Sequence, residues 1–298
     1  MWRLRDWWRD LTDLVLPAEC GGCGRTRAVL CPRCRTALSG SAPRRVRPLP
    51  EPPGLPAVHA AAPYADEVRA ALLAHKERGA LALTTPLGEA LAGAVRAGLR
   101  EAWTGVGGAG GRPGPVLLVP VPSARRAVRR RGHDPARRIA LAAAGELRRT
   151  GVPVRVAALL RQRHAVADQA DLDARRRLDN LAGALAVAPG GGRLLCGGGP
   201  VVLVDDLMTT GASLAEAARA VRAAESRTGP DTYGKARSAV YPSVVGEGRE
   251  ERKTGPQMEG SNGGVGAIRE AICAAVVAAS PDSFENKPEL TENLRRCR

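Results

Sequence analysis

Two stretches of this 298-residue chain hold residues whose types and spacing can do chemistry. The first is CGGCGRTRAVLCPRC, which sets Cys20, Cys23, Cys31 and Cys34 as two C-x-x-C pairs separated by seven residues. Each pair brings two thiolates within reach of one ion, and the Gly-Gly and Pro-Arg interiors suit the tight turns that wrap it. Four thiolates satisfy a tetrahedral Zn²⁺ and leave no position open for a substrate, so the expected role is structural. The alternative is a set of reduced core cysteines, and the segment is too polar for that. Cys196, Cys273 and Cys297 have no such spacing and read as free thiols.

The second stretch is VVLVDDLMTTGAS, residues 201–213. Four branched aliphatics after Pro200 predict a strand buried on both faces, and charged residues enter such a strand at its end, facing water or a ligand. Asp205 and Asp206 stand at that end. Carboxylates there suit hydrogen bonds from a vicinal diol such as the two hydroxyls of a ribose. Thr209, Thr210, Gly211, Ala212 and Ser213 follow, small or hydroxylated, and SLAEAARAVRAA continues as a helix. The amides at that helix start form an anion nest that fits a phosphate. Diol acceptors beside a phosphate cradle describe a ribose 5-phosphate. The competing reading is a nucleotide site or a merely structural strand end.

This stretch resembles the 5-phosphoribosyl-1-pyrophosphate (PRPP) motif of type I phosphoribosyltransferases. VPVPSARRAVRRRGHDPA (119–136), AHKERG (74–79), the polar connection holding Gln169, Arg177 and Asn180, and the four-cysteine module extend the likeness. Together they resemble the ComF family of competence-associated phosphoribosyltransferase-like proteins, across nearly all of 14–224 and again at AAVVAASPDSF (274–284). The resemblance implies that Asp205, Asp206 and Thr209–Ser213 hold PRPP. It implies that Arg126, Arg129 and Arg131, with Lys76, hold its pyrophosphate and the Mg²⁺ that rides on the ligand. Gln169, Arg177 and Asn180 would belong to a hood over the reacting C1 carbon. Where the family pattern continues RGFNQ, this chain has RGHDP, with His133, Asp134 and Pro135.

The elements that must position these residues follow from pattern. The resemblance implies a type I phosphoribosyltransferase-like domain over 57–298, and within it pattern places strands near 57–64, 116–122, 153–158, 183–188 and 271–280, alternating with helices near 65–76, 83–100 and 135–149. That alternation predicts an α/β fold, a mainly parallel sheet with helices on both faces. Residues 1–38 are expected to form an N-terminal helix and the small zinc module. SGSAPRRVRPLPEPPGLP (39–56), with six prolines, reads as an extended linker. TGVGGAGGRPGP (104–115) reads as a loop. Residues 225–270 are polar and Gly-rich with seven basic and seven acidic residues, and interrupt the domain where a short connection is expected. The segment reads as a disordered insertion or as sequence the working protein lacks.

Charge bounds the partners. The formal charge of +15 points to anions: phosphorylated metabolites, nucleic acid or a membrane surface. Residues 121–180 hold fifteen arginines against six acids; solvated helix faces are the bland alternative. Aromatics make up 3% of the chain, which counts against sequence-independent binding of single-stranded DNA by stacking. Three of the four tryptophans lie in the first eight residues, on a helix candidate with Leu4, Trp8, Leu11 and Val15 on one face. It reads as an anchor packed on the protein body, with peripheral membrane contact as the alternative. Asp6, Asp10 and Asp13 stand where a secretion signal needs an apolar core, and no apolar run reaches transmembrane length, so the expected location is cytoplasmic. Two functions fit: a phosphoribosyltransferase acting on an unidentified acceptor, or a catalytically silent PRPP-binding module in uptake of single-stranded DNA.

Overall fold

A computed structural model of the chain describes residues 19–105, 114–163, 181–196, 199–227 and 272–284. The expected N-terminal helix, most of the insertion and the three hood residues Gln169, Arg177 and Asn180 lie outside the described residues.

The architecture is α/β, with a mostly parallel six-stranded sheet between helical layers. In chain order the strands are β1 (Arg44–Val46), β2 (Val58–Pro63), β3 (Val116–Pro120), β4 (Val154–Val156), β5 (Leu160–Gln162), β6 (Leu185–Val187), β7 (Val201–Met208) and β8 (Cys273–Ala279). The helices are α1 (Pro32–Ser39), α2 (Asp66–Glu77), α3 (Thr84–Gly105), α4 (Arg125–Arg131), α5 (Pro135–Arg149), α6 (Gly191–Leu195) and α7 (Ala212–Arg227). The large sheet runs β1-β2-β8-β7-β3-β4, parallel throughout except for the edge strand β1.

Strand periodicity divides the core into two layers. Val116 and Leu118 of β3 and Val202 and Val204 of β7 face one way, into a layer built with α3 and α5. Leu117, Val119, Val201 and Leu203 face the other way, onto α7. The helices match this. Leu87, Leu91, Val95 and Leu99 recur at near four-residue spacing along α3, and Leu214, Ala218 and Val221 do so along α7. Alanine is frequent at these contacts, and small side chains let helices pack close to the sheet.

Three expectations need correction. The proline-rich 39–56 segment, read as a linker, supplies β1, and Glu101 of α3 holds it there: Arg45 donates to Glu101 at 2.5 Å and His59 of β2 lies 2.9 Å from the same carboxylate. The strand near 183–188 does not join the large sheet. It pairs antiparallel with β5, a strand the sequence did not reveal, in a separate ribbon. Three-residue strands carry too little periodicity to be read. The helix placed up to about residue 224 continues to Arg227, into the first residues of the expected insertion.

Candidate functional site

The topology reverses between β3 and β7. From β3 the chain passes through α5 to β4 on one side, and from β7 it passes through α7 toward β8 on the other. Helices that leave on opposite faces open a crevice at the carboxyl ends of the two strands, where α/β sheets bind ligands. Pairing of β3 with β7 stops at Pro120↔Val204, whereas β7 stays paired with β8 up to Met208↔Ala279. The Val121 amide makes a last bond to the Val204 carbonyl at 2.9 Å, and Pro122 has no amide to continue. Asp205 and Asp206 therefore overhang the end of β3. Their neighbour on that side is a cavity of about 930 Å³ rather than a strand.

Both acids line the cavity, as do Thr209 and Ser213. Asp206 is 6% exposed, and its Oδ2 lies 3.1 Å from Lys76 Nζ at the end of α2. The Asp206 amide donates to Asp205 Oδ1 at 2.8 Å. Burial, with the Asp206 charge beside it, pushes the Asp205 carboxyl well above the usual carboxylate range. Burial works against the charge on Lys76, but Asp206 and then Asp205 outweigh it, and its pKa is raised.

Of the arginines expected to face the ligand, Arg126 and Arg131 line the cavity, while Arg129 does not. Arg131 is also engaged by Glu77, which accepts from its Nε at 3.0 Å and its NH2 at 2.5 Å. Arg125, Arg130 and Arg163 complete the basic wall, and sequence reasoning did not single them out. The signal for the first two was present in RRAVRRR, which forms the short helix α4 along the cavity mouth. Arg163 carried no such signal, because its place depends on the β5–β6 ribbon. In all, six cations surround two acids in this cavity, so the site as a whole suits an anion.

Thr210, Gly211 and Ala212 sit at the loop but outside the cavity wall. Gly211 has φ 75°, a left-handed conformation that favours glycine. A Cβ there would meet Leu55 at 3.1 Å and Pro48 at 3.3 Å, so the absent side chain makes room for the proline-rich segment folded against the loop. Arg222 of α7 holds the same segment through the Gly54 carbonyl at 2.9 Å.

The RGHDP departure has a local structural account. Asp134 caps α5, its Oδ1 accepting from the Arg137 amide at 3.2 Å, and Pro135 takes the first helical turn, where a missing amide costs nothing. His133 packs edge-on against His75, ring centroids 5.6 Å apart. His75 is fully buried beside Lys76, 3.2 Å from Thr84 Oγ1, and burial, reinforced by His133, lowers its pKa to about 4.

The four cysteines come together. Their sulfurs all lie within 4.8 Å of one another, with Cys23 exposed and the other three buried. Cys23 and Cys31 Sγ are 3.6 Å apart. Thiolates on one tetrahedral ion at about 2.3 Å each stand roughly 3.8 Å apart, so the cluster can hold a metal such as zinc. The Cys31 amide donates to Cys20 Sγ at 3.3 Å. Burial raises the Cys20 pKa, but the amides of Cys31, Cys23 and Gly22 prevail and bring it to about 6. Gly22 permits the closure, because a Cβ there would fall 2.7 Å from Cys34 Sγ and 3.2 Å from the Glu67 carbonyl of α2. Cys20, Cys31 and Cys34 share one hydrophobic layer with α2 and α3, so the module is part of the main core.

Fold and site define an α/β protein with a cation-lined cavity at the carboxyl edge of its sheet and a metal-competent cysteine module on one helical layer. No protein-family model matches this chain, and no curated protein matches it. Among the described residues no helix is long and apolar enough to cross a membrane.

Proposed function

We propose that this protein binds PRPP in the cavity and acts as a phosphoribosyltransferase-like protein, moving ribose 5-phosphate to an acceptor with release of pyrophosphate. The observation that carries the reading is the position of Asp205 and Asp206, overhanging β3 at the topological reversal with a basic wall opposite. The acids accept the ribose hydroxyls, and the loop 209–213 with the first amides of α7 takes the 5-phosphate. Arg126, Arg130 and Arg131 face the space left for pyrophosphate. Among the described residues the only cluster of three or more metal-ligating side chains is the cysteine one. Mg²⁺ carried on ligand oxygens and water would sit beside Asp205 and Asp206, and would supply neutralisation of charge on the leaving pyrophosphate. Electrostatic support of the leaving group is what these residues contribute. The cysteine module is read as a structural zinc site. The test is pyrophosphate release from Mg²⁺-PRPP across a panel of bases and amines.

A second reading, a PRPP-binding module that handles single-stranded DNA, draws on α4, where Arg125, Arg126, Arg129 and Arg130 are all exposed. A salt-dependent titration with single-stranded DNA, with and without PRPP, separates the two.

A further inference from the structure

Glu216 is a charged side chain in the second turn of α7, 6% exposed, and it does not line the cavity. Its Oε1 accepts from the Leu185 amide of β6 at 2.9 Å. Arg219, one turn on, grips the carboxylate through Nε at 2.6 Å and NH2 at 2.8 Å, and the same NH2 donates to the Leu185 carbonyl at 3.0 Å. Both backbone groups of Leu185 that face away from β5 are thus paired by side chains of α7. Among the described residues no third strand lies beside β6, and this edge is fastened by a buried carboxylate and its arginine.

What hangs on that fastening is one wall of the cavity. Leu185 itself lines it, and opposite Leu185 in the ribbon stands Gln162, which also does. The Arg163 amide bonds to the Ala184 carbonyl at 2.9 Å, and Arg163 faces the cavity too. Leu181 and Ala184 pack on Ala212, the first residue of α7 and part of the loop assigned to the 5-phosphate. The ribbon therefore touches α7 twice, at Ala212 through apolar contact and at Glu216 through charge. We infer that Glu216 is a positioning residue, which with Arg219 fixes the β5–β6 ribbon to the phosphate-loop helix so that Gln162 and Arg163 face the diphosphate of bound PRPP, the part that ribose 5-phosphate lacks. The consequence for binding rests on the proposed PRPP reading; the fastening itself does not.

The mechanism is preorganisation. A ribbon of two three-residue strands is not stable alone, and without the clamp its ordering would have to be supplied when ligand binds. Losing it should weaken ligands that reach the ribbon and leave those confined to the acids and the loop nearly unaffected.

The experiment uses the full chain and the variants E216Q and R219K. Amide hydrogen exchange is read at residues 160–163 and 181–187, alongside titrations with Mg²⁺-PRPP and with ribose 5-phosphate. The expected result is faster exchange in the ribbon with α3 and α5 unchanged, and Mg²⁺-PRPP affinity lower by about tenfold in E216Q. Ribose 5-phosphate affinity should change by less than about threefold, and R219K should show the same pattern more weakly. If E216Q does not fold, R219K alone decides. Unchanged exchange in the ribbon overturns the clamp. Faster exchange with unchanged PRPP affinity, or equal losses for both ligands, overturns the positioning role. Wild type that fails to bind Mg²⁺-PRPP counts against the ligand reading, and exchange then judges the clamp by itself.

Discussion

Lys76 Nζ stands 3.1 Å from Asp206 Oδ2, joining the last turn of α2 to the strand end that carries the acid pair. The next residue, Glu77, takes Arg131 by both its Nε and NH2, so consecutive residues of α2 reach the acidic and the basic walls of one cavity. Lys76→Met would leave Asp206 buried without its cation. Leaving a charged group unpaired costs on the order of 1–3 kcal/mol, and partial exposure of Lys76 keeps the figure within that range. Urea denaturation should show that loss in Lys76→Met and its recovery in Lys76→Met/Asp206→Asn. A double variant as destabilised as the single one would contradict the pairing.

Asp205 offers the opposite trade. Its pKa is raised by burial and by Asp206, so ionising it at neutral pH works against folding. The sign follows from linkage: this penalty is absent below the unfolded carboxylate pKa and grows as pH rises toward the folded value. Asp205→Asn retains an oxygen for the Asp206 amide and removes the charge. The ligand-free variant should be more stable than wild type at pH 7 by about 0.5–2 kcal/mol and should bind ligand less well. Thermal unfolding at pH 7 checks it. A lower Tm for the variant would mean that the carboxylate is held by favourable partners instead.

His75 gives a pH dependence of known direction. With its folded pKa lowered to about 4, the unfolded chain takes up a proton that the native state refuses. Stability should fall as pH drops from about 6.5 and level off below about 4, by an amount on the order of 3 kcal/mol. The measurement is the difference between wild type and His75→Gln in denaturant unfolding at pH 7 and at pH 4.5, which cancels the protonation of other groups. Parallel losses in the two proteins would show that His75 is not the titrating group.

The metal prediction separates the exposed cysteine from the buried ones. Purified reduced protein should carry about one zinc per chain. Cys23→Ser, at the exposed ligand, should weaken metal retention and leave the domain folded. Cys31→Ser should lower Tm further, because Cys31 is 1% exposed and shares a layer with α2 and α3. Chelation should speed hydrogen exchange in α1 and the first turn of α2, where Arg33 pairs with Glu67 at 2.5 Å. Metal analysis that finds no zinc, or equal melting of the two variants, would contradict this arrangement.

Long periodic elements are legible in the sequence. The four aliphatics of Val201–Val204 and the apolar stripes of α3 and α5 each repeat often enough to define a strand or a helix face. The cysteine cluster was legible because chelation geometry is local in sequence. What escaped was short or non-local. Arg163 and Gln162 reach the cavity through a ribbon whose two strands have three residues each, separated by more than twenty positions. The Lys76–Asp206 pair spans 130 positions, and no local pattern announces it. The packing need at Gly211 is equally non-local, since the space beyond it belongs to Leu55 and Pro48 of the proline-rich segment.

The proposed function depends above all on Asp205, Asp206 and the loop they lead into holding a phosphoribosyl diphosphate. Calorimetric titration of wild type and Asp205→Asn/Asp206→Asn with Mg²⁺-PRPP tests it most directly. Wild type should bind one equivalent, with ribose 5-phosphate competing more weakly because it lacks the diphosphate for the arginine wall. Each charge-assisted bond lost from the acid pair should cost about ten- to a hundredfold in affinity, so the double variant should lose at least that much. No heat of binding at millimolar PRPP in wild type, or equal affinity in the double variant, would contradict the account.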